Sequence, residues 1–117
     1  MASFMALPIH LHVIASTRLE ARASAELART LQGLFNGQPM ILIIDLRNVG
    51  FIDSLGISAL ATTLRRAPPG SRVVLAHLQS SVRAIARMTR LNEVFDIFVD
   101  ADAAIRAVTP AEALVHA

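Results

Sequence analysis

Few residues in this chain have types and spacing that could carry chemistry. The most concentrated are Phe51-Ile-Asp-Ser-Leu-Gly56, where two apolar residues precede Asp53 and Ser54, both good helix N-caps. A run that reads as a helix follows, from Leu55 to Arg66. A helix start leaves backbone N–H groups unpaired and carries positive potential. In an open α/β sheet, sites also form outside the carboxyl ends of strands, so Ser54 stands where an anion is tolerated. On residue types alone the segment reads first as an ordinary cap, with Asp53 or Ser54 accepting from the first-turn amides. Gly56 adds to the anion reading, because glycine in a first helical turn costs up to about 1 kcal/mol against alanine and predicts close approach by another group.

Two further patterns are weaker. His10-x-His12 has ligand-like spacing, since i and i+2 share one strand face, but no further ligand is in view and the pair reads as two solvent-facing strand positions. Arg83, Arg87 and Arg90 are spaced i, i+4, i+7 on a helix face away from Val82, Ile85 and Met88, and read either as a solvated face or as docking for an acidic partner. No GxSxG, GxGxxG or Walker pattern occurs, and with Cys 0 there is no thiolate metal site, disulfide framework or cysteine nucleophile. Enzyme readings therefore lack a motif, and neither a cofactor nor a metal is called for.

The elements that must position these residues follow from periodicity. Ile9, Leu11, Val13 and Ala15 alternate with His10 and His12, the period of a strand, with Pro8 at its start. From Glu20 to Phe35 the period becomes helical, with Leu27, Leu31, Leu34 and Phe35 on one side, and Asn36-Gly37 and Pro39 stop it. Met40 to Leu46 is an apolar, β-branched run too short for a helix, and reads as a buried central strand. Arg47 to Gly50 is a turn. In the Leu55 to Arg66 helix Leu60 and Leu64 point inward, and Pro68-Pro-Gly70 ends it. Arg72 to His77 is a strand, Ser80-Ser81 caps a helix with Val82, Ile85 and Met88 inward, and Val94 to Val99 is a further strand. Asp100 or Asp102 caps a last helix through Ile105 and Val108, which stops before Pro110. The alternation predicts one α/β domain over residues 1–117, with a largely parallel sheet of four to five strands, about four helices and a tail that frays after about residue 110.

Composition narrows the function classes. The chain has 117 residues, is 54% hydrophobic and 17% charged, which fits one domain. Its longest unbroken apolar run, Met40 to Ile44, is far short of the roughly 20 residues of a membrane span. Met1 to Leu7 has neither the basic nor the long apolar region of a signal peptide, so a cytoplasmic protein is expected. The isoelectric point of about 11.0 is misleading: the net charge is only +2, and the chain has no Lys, Tyr or Cys to titrate below Arg. With Phe 5 as its whole aromatic complement, it has no stacking platform for nucleic acid. The charge is split, since Arg65, Arg66, Arg72, Arg83, Arg87 and Arg90 occupy a stretch with no acid while the chain beyond residue 92 is acidic.

The stretch Ile43-Ile-Asp-Leu-Arg-Asn-Val-Gly-Phe-Ile-Asp-Ser-Leu-Gly-Ile-Ser-Ala-Leu60 resembles the signature of STAS domains, specifically of bacterial anti-sigma factor antagonists. Arg18-Leu-Glu-Ala21, Ser81-Val-Arg83 and Met88-Thr-Arg-Leu-Asn-Glu-Val-Phe95 resemble later and earlier segments of the same family. Thr17 stands where the family usually has Gly, Glu20 replaces Asp, and the short N-terminus leaves Ser3 to Leu7 as the candidate first edge strand. The resemblance implies a STAS-like fold and a non-enzymatic, partner-switching protein. Unphosphorylated, it would bind a GHKL-type anti-sigma factor Ser kinase and free a sigma factor. Phosphorylated on Ser54, it would be released until a PP2C-type phosphatase resets it. Asp53, Ser54 and Gly56 would form the switch, with Gly56 letting the partner approach. Leu55 replaces a small hydroxyl residue, Asp45 and the turn from Arg47 and Asn48 to Phe51 shape the adjoining surface, and Arg83 and Arg87 would help docking. No direct contact with nucleic acid or membrane is implied, and the expected state is a monomer or weak dimer. Two alternatives stay open: a STAS scaffold subunit of a transporter or signalling complex that contacts an ATPase without phosphorylation, and a small nucleotide- or anion-binding protein using the helix start itself.

Overall fold

The computed structural model describes residues 7–110. The elements are β1 (Ile9–Val13), β2 (Arg18–Leu19), α1 (Ala21–Phe35), β3 (Ile41–Asp45), β4 (Phe51–Ile52), α2 (Ser54–Arg66), β5 (Arg72–Ala76), α3 (Ser80–Met88), α4 (Leu91–Val94), β6 (Ile97–Phe98) and α5 (Ala101–Val108). One parallel sheet has the order β1-β3-β5-β6, with Leu11 opposite Ile43 and Ile43 opposite Val74. A second parallel pair joins β2 to β4, Arg18 opposite Phe51 and Leu19 opposite Ile52. The expected α/β class with a parallel sheet holds, with four strands in the main sheet, a separate two-stranded pair and five helices among the described residues. The expected edge strand at Ser3 to Leu7 and the tail after Pro110 fall almost wholly outside them.

The unbroken apolar run of β3 follows from its place. Leu42 and Ile44 face the larger core with Leu27, Leu31 and Phe35 of α1 and Leu60 of α2. Ile41 and Ile43 face a smaller core with Val74, Ala76, Ala104 and Val108. A parallel strand covered on both faces has no use for alternation. Helix α1 stops where Asn36 turns left-handed at φ 48, followed by Gly37 at φ 74.

Four expectations need correction. In β1 the faces are reversed: His10 and His12 are half-buried toward α1, while Ile9, Leu11 and Val13 are exposed. The cause is that α5 packs on β3, β5 and β6 and leaves the same face of β1 open. Residues 94–99 are not one strand, because Leu91 and Phe95, both buried one helical turn apart, fold Leu91–Val94 into α4, and only Ile97 and Phe98 pair with β5. In α3 the buried residues are Val82 and Ala86, and Met88, expected inside, is 79% exposed at the helix end. Ser80 and Ser81 do not cap α3; its N-cap is Gln79, whose side chain makes no capping bond to the helix, and the Ser81 hydroxyl donates across to the Gly50 carbonyl at 2.9 Å.

Candidate functional site

The β2–β4 pair builds the site. The Thr17 carbonyl accepts from the Gly50 and Phe51 amides at 2.9 and 3.3 Å, and the Leu19 carbonyl from the Asp53 amide at 3.4 Å. Each short strand then runs straight into a helix: Glu20 is the N-cap of α1 and Asp53 that of α2. Because α1 and α2 pack on one another, the two helix starts emerge next to each other, and the positive ends of their dipoles face the Glu20 and Asp53 carboxylates at the caps.

The two cap candidates divide their roles. Asp53 Oδ1 accepts from the Leu55 amide at 2.9 Å and the Gly56 amide at 3.1 Å. Ser54 is the first residue of α2, exposed, and free of the capping task. On either side of it, Phe51 is 40% and Leu55 51% exposed, so a hydroxyl sits between two apolar side chains offered to solvent. The close approach expected at Gly56 is real but lies within the chain. Gly56 is buried, and a Cβ there would lie 2.6 Å from both the Leu19 carbonyl oxygen and Ile52 Cγ1. Its missing side chain lets α2 seat on the β2–β4 pair, which corrects the reading in which it admits a partner.

Sequence reasoning missed Arg18 and Glu20 as parts of this site. The Arg18 guanidinium lies 4.2 Å from the centroid of the Phe51 ring and makes two hydrogen bonds to the Glu20 carboxylate, at 3.1 and 3.0 Å. Those bonds hold the Glu20 carboxyl below its ordinary range and raise the Arg18 guanidinium above its own. Asp53 lies close enough for its charge to act on both. The signal was the pairing of two remote dipeptides, Arg18-Leu19 and Phe51-Ile52, each too short to show a strand period.

The adjoining turn is held from inside. Asp45, fully buried, accepts from the Arg47 amide at 2.9 Å and from its guanidinium, which it keeps charged beyond the usual range. Asn48 donates to the Ile14 carbonyl at 3.1 Å, and Gln79 Nε2 to the Arg47 carbonyl at 2.9 Å. Arg47 and Asn48 are thus at the surface with their polar groups already engaged in shaping it. The Arg stripe does not stay together: Arg83 and Arg87 lie on α3, while Arg90 follows it in a left-handed conformation at φ 59 and pairs with Glu93 at 3.7 Å. The rings of His10 and His12 stack with centroids 6.4 Å apart, and burial, then the neighbouring His10, lowers the His12 pKa. No cluster of three metal-ligating side chains occurs among the described residues, nor any helix long and apolar enough to cross a membrane.

The STAS domain family model matches residues 11–104, a span that includes β2, β4 and the starts of both α1 and α2. An anti-sigma factor antagonist from Mycobacterium paratuberculosis has a similar structure, with TM-score 0.78 and 21% identity over 86% of this chain and 85% of that one. A sulfate transporter family protein from Wolinella succinogenes superposes with TM-score 0.65 and 18% identity over 100% of this chain and 97% of the other. No curated protein matches the chain. At these identities the two structures speak for the shared fold.

Proposed function

Since the chain belongs to the STAS domain family, we propose that it is a cytoplasmic anti-sigma factor antagonist. It binds a GHKL-type Ser kinase through the start of α2 and is released when Ser54 is phosphorylated. One observation carries the reading. Capping of α2 falls to Asp53, which leaves the Ser54 hydroxyl exposed between Phe51 and Leu55 on a backbone fixed by the β2–β4 pair. In the transfer the Ser54 Oγ gives its proton to a base of the kinase and bonds to the γ-phosphorus of ATP, the bond from that phosphorus to the bridging oxygen breaks, and ADP leaves. The chain supplies the nucleophile and its position, and acts as substrate and binding partner, without catalytic residues of its own.

Release follows from charge. A phosphoserine adds about −1.5 to −2 charge, which the positive end of the α2 dipole tolerates within the domain. A partner surface built around a neutral hydroxyl beside the Asp53 carboxylate meets repulsion and an added desolvation cost. Phe51 and Leu55 supply apolar contact in the unphosphorylated complex, and a PP2C-type phosphatase restores it. The direct test is intact mass after incubation with ATP and each GHKL-type Ser kinase of the organism. A single added phosphate mapping to Ser54, absent in Ser54→Ala, is the expected result; Ser54→Ala should stay bound and Ser54→Asp should bind poorly while folded. A folded chain that no kinase modifies moves the assignment to a second reading, a STAS scaffold subunit that contacts an ATPase through the same surface. The full-length superposition on a sulfate transporter family protein favours that reading next.

A further inference from the structure

Away from Ser54, the carboxyl ends of β5 and β6 open into a cavity of about 380 Å³ roofed by α3 and lined by Leu78, Arg83, Ala86, Arg87, Asn92, Ile97, Phe98 and Val99. Its position is the one at which open α/β sheets take ligands, and its volume falls in the range of small-molecule sites. The lining is of two kinds. Leu78 and Ala86 are buried, Ile97 and Phe98 half-buried, and with Val99 they make an apolar floor and wall. Arg83 and Arg87, one helical turn apart on α3, and Asn92 bring the polar groups. The Arg83 guanidinium is steadied over the cavity by one bond to the Leu78 carbonyl at 3.2 Å. The nearby acids are committed elsewhere: Asp96 to Arg72 at 3.0 Å, Glu93 to Arg90, and Asp100 to the α5 amide of Ala103 at 2.8 Å.

We infer that this cavity is a binding site for a small organic anion with an apolar body, a carboxylate, sulfonate or phosphate monoester carried on a ring or branched chain. The anionic group meets Arg83 and Arg87 with Asn92 as an added donor, and the body rests on Leu78, Ala86, Ile97 and Phe98. Guanidinium groups suit this task because they stay charged and offer paired donors to planar or tetrahedral oxyanions. None of the lining residues belongs to the 45–56 segment, and Arg83 and Arg87, which the family resemblance gives to partner docking, here serve the cavity instead. It nevertheless adjoins that segment through α3, whose first turn donates from Ser81 to the Gly50 carbonyl and whose cap donates from Gln79 to the Arg47 carbonyl.

The probe is 1-anilinonaphthalene-8-sulfonate, two aromatic units with one anionic group, titrated by fluorescence and followed by amide shifts in two-dimensional NMR. The expected result is saturable one-to-one binding with the largest shifts at Leu78, Ala86 and Ile97 to Val99. In Arg83→Gln/Arg87→Gln the dissociation constant should rise at least tenfold with an unchanged circular dichroism spectrum. The uncharged N-phenyl-1-naphthylamine should bind wild type and double variant alike. Should the double variant fail to fold, Asn92→Asp, isosteric and exposed, sets a repelling charge on the same lining and should weaken the sulfonate several-fold. Non-saturable binding, shifts centred on the exposed Ile9, Leu11 and Val13 of β1, or an affinity indifferent to these charges would overturn the site. So would amides at the cavity that answer only to a protein partner and never to the probe.

Discussion

At the start of α2 and at the cavity beneath α3 the chain uses polar side chains in opposite ways. Around α2, Asp45, Arg47, Asn48, Asp53, Gln79 and Ser81 all spend their polar groups on bonds within the chain, and Ser54 is left as the hydroxyl on offer. Under α3, the Arg83 side chain makes a single bond to a backbone carbonyl, and the side chains of Arg87 and Asn92 make none among the described residues. The first arrangement is a rigid frame that presents one group at a fixed height. The second holds its polar groups in reserve for whatever enters. A frame suits recognition that one covalent change must abolish, and a reserve suits a ligand that comes and goes.

The largest test of that contrast is Gly56→Ala. The added methyl would meet the Leu19 carbonyl oxygen and Ile52 Cγ1, both at 2.6 Å, and neither a paired backbone nor a buried branched side chain yields readily. A loss of about 2–3 kcal/mol is expected in urea denaturation. Gly33→Ala is the matched control, because nothing lies within 4 Å of its Cβ position on α1, and it should gain about 0.5–1 kcal/mol. If the two substitutions behave alike, the frame is soft and the contrast fails.

Next in size is the division between neighbours 53 and 54. Asp53→Ala removes a cap bonded to two amides and should lower thermal stability by about 1 kcal/mol, whereas Ser54→Ala should stay within about 0.5 kcal/mol of wild type. Equal effects would mean that Ser54 is part of the frame. The smallest effect expected is a pH dependence from β1, where His12 lines a cleft with Ala23, Glu26, Leu27 and Thr30 of α1. Burial lowers its pKa from 6.5, so above that value His12 is neutral folded or unfolded and adds no pH dependence. As pH falls through 6.5 the unfolded chain takes the proton first, and stability drops until the lower folded value is passed. His12→Gln should flatten this part of the melting-temperature profile. A profile that His12→Gln leaves unchanged would show that α1 is indifferent to the ring's charge.

Much of this was legible in the sequence, for reasons that differ by element. The helix from Glu20 to Phe35 and the central strand show themselves because Leu27, Leu31 and Phe35 repeat at helical spacing and Ile41 to Ile44 are apolar without a break. Ser54 at a helix start was legible from the cap residues before it. The orientation of β1 was not, since His10 and His12 look like the wet side of a strand and only the reach of α5 leaves Ile9, Leu11 and Val13 bare. Nor were α4 and β6, whose boundary depends on Leu91 and Phe95 finding the same core. That Arg18 and Glu20 belong beside Ser54 was not legible, because a two-residue strand has no period and what joins them to Ser54 is a pairing between remote parts of the chain.

Every strand pairing among the described residues is parallel, and this bears on how fast the protein reaches its fold. Parallel neighbours cannot be joined by a tight turn, so Ile9 meets Ile41, and Ile41 meets Arg72, only after a long loop has closed across an intervening helix. The entropy of each closure comes due before the sheet returns anything, which sets folding behind that of a helical bundle of equal length. Even Arg18 and Phe51, a pair around which the Ser54 surface is built, must wait for one of these closures. A chain emerging from the ribosome therefore cannot display that surface until β4 has been made, with α1 and β3 already behind it.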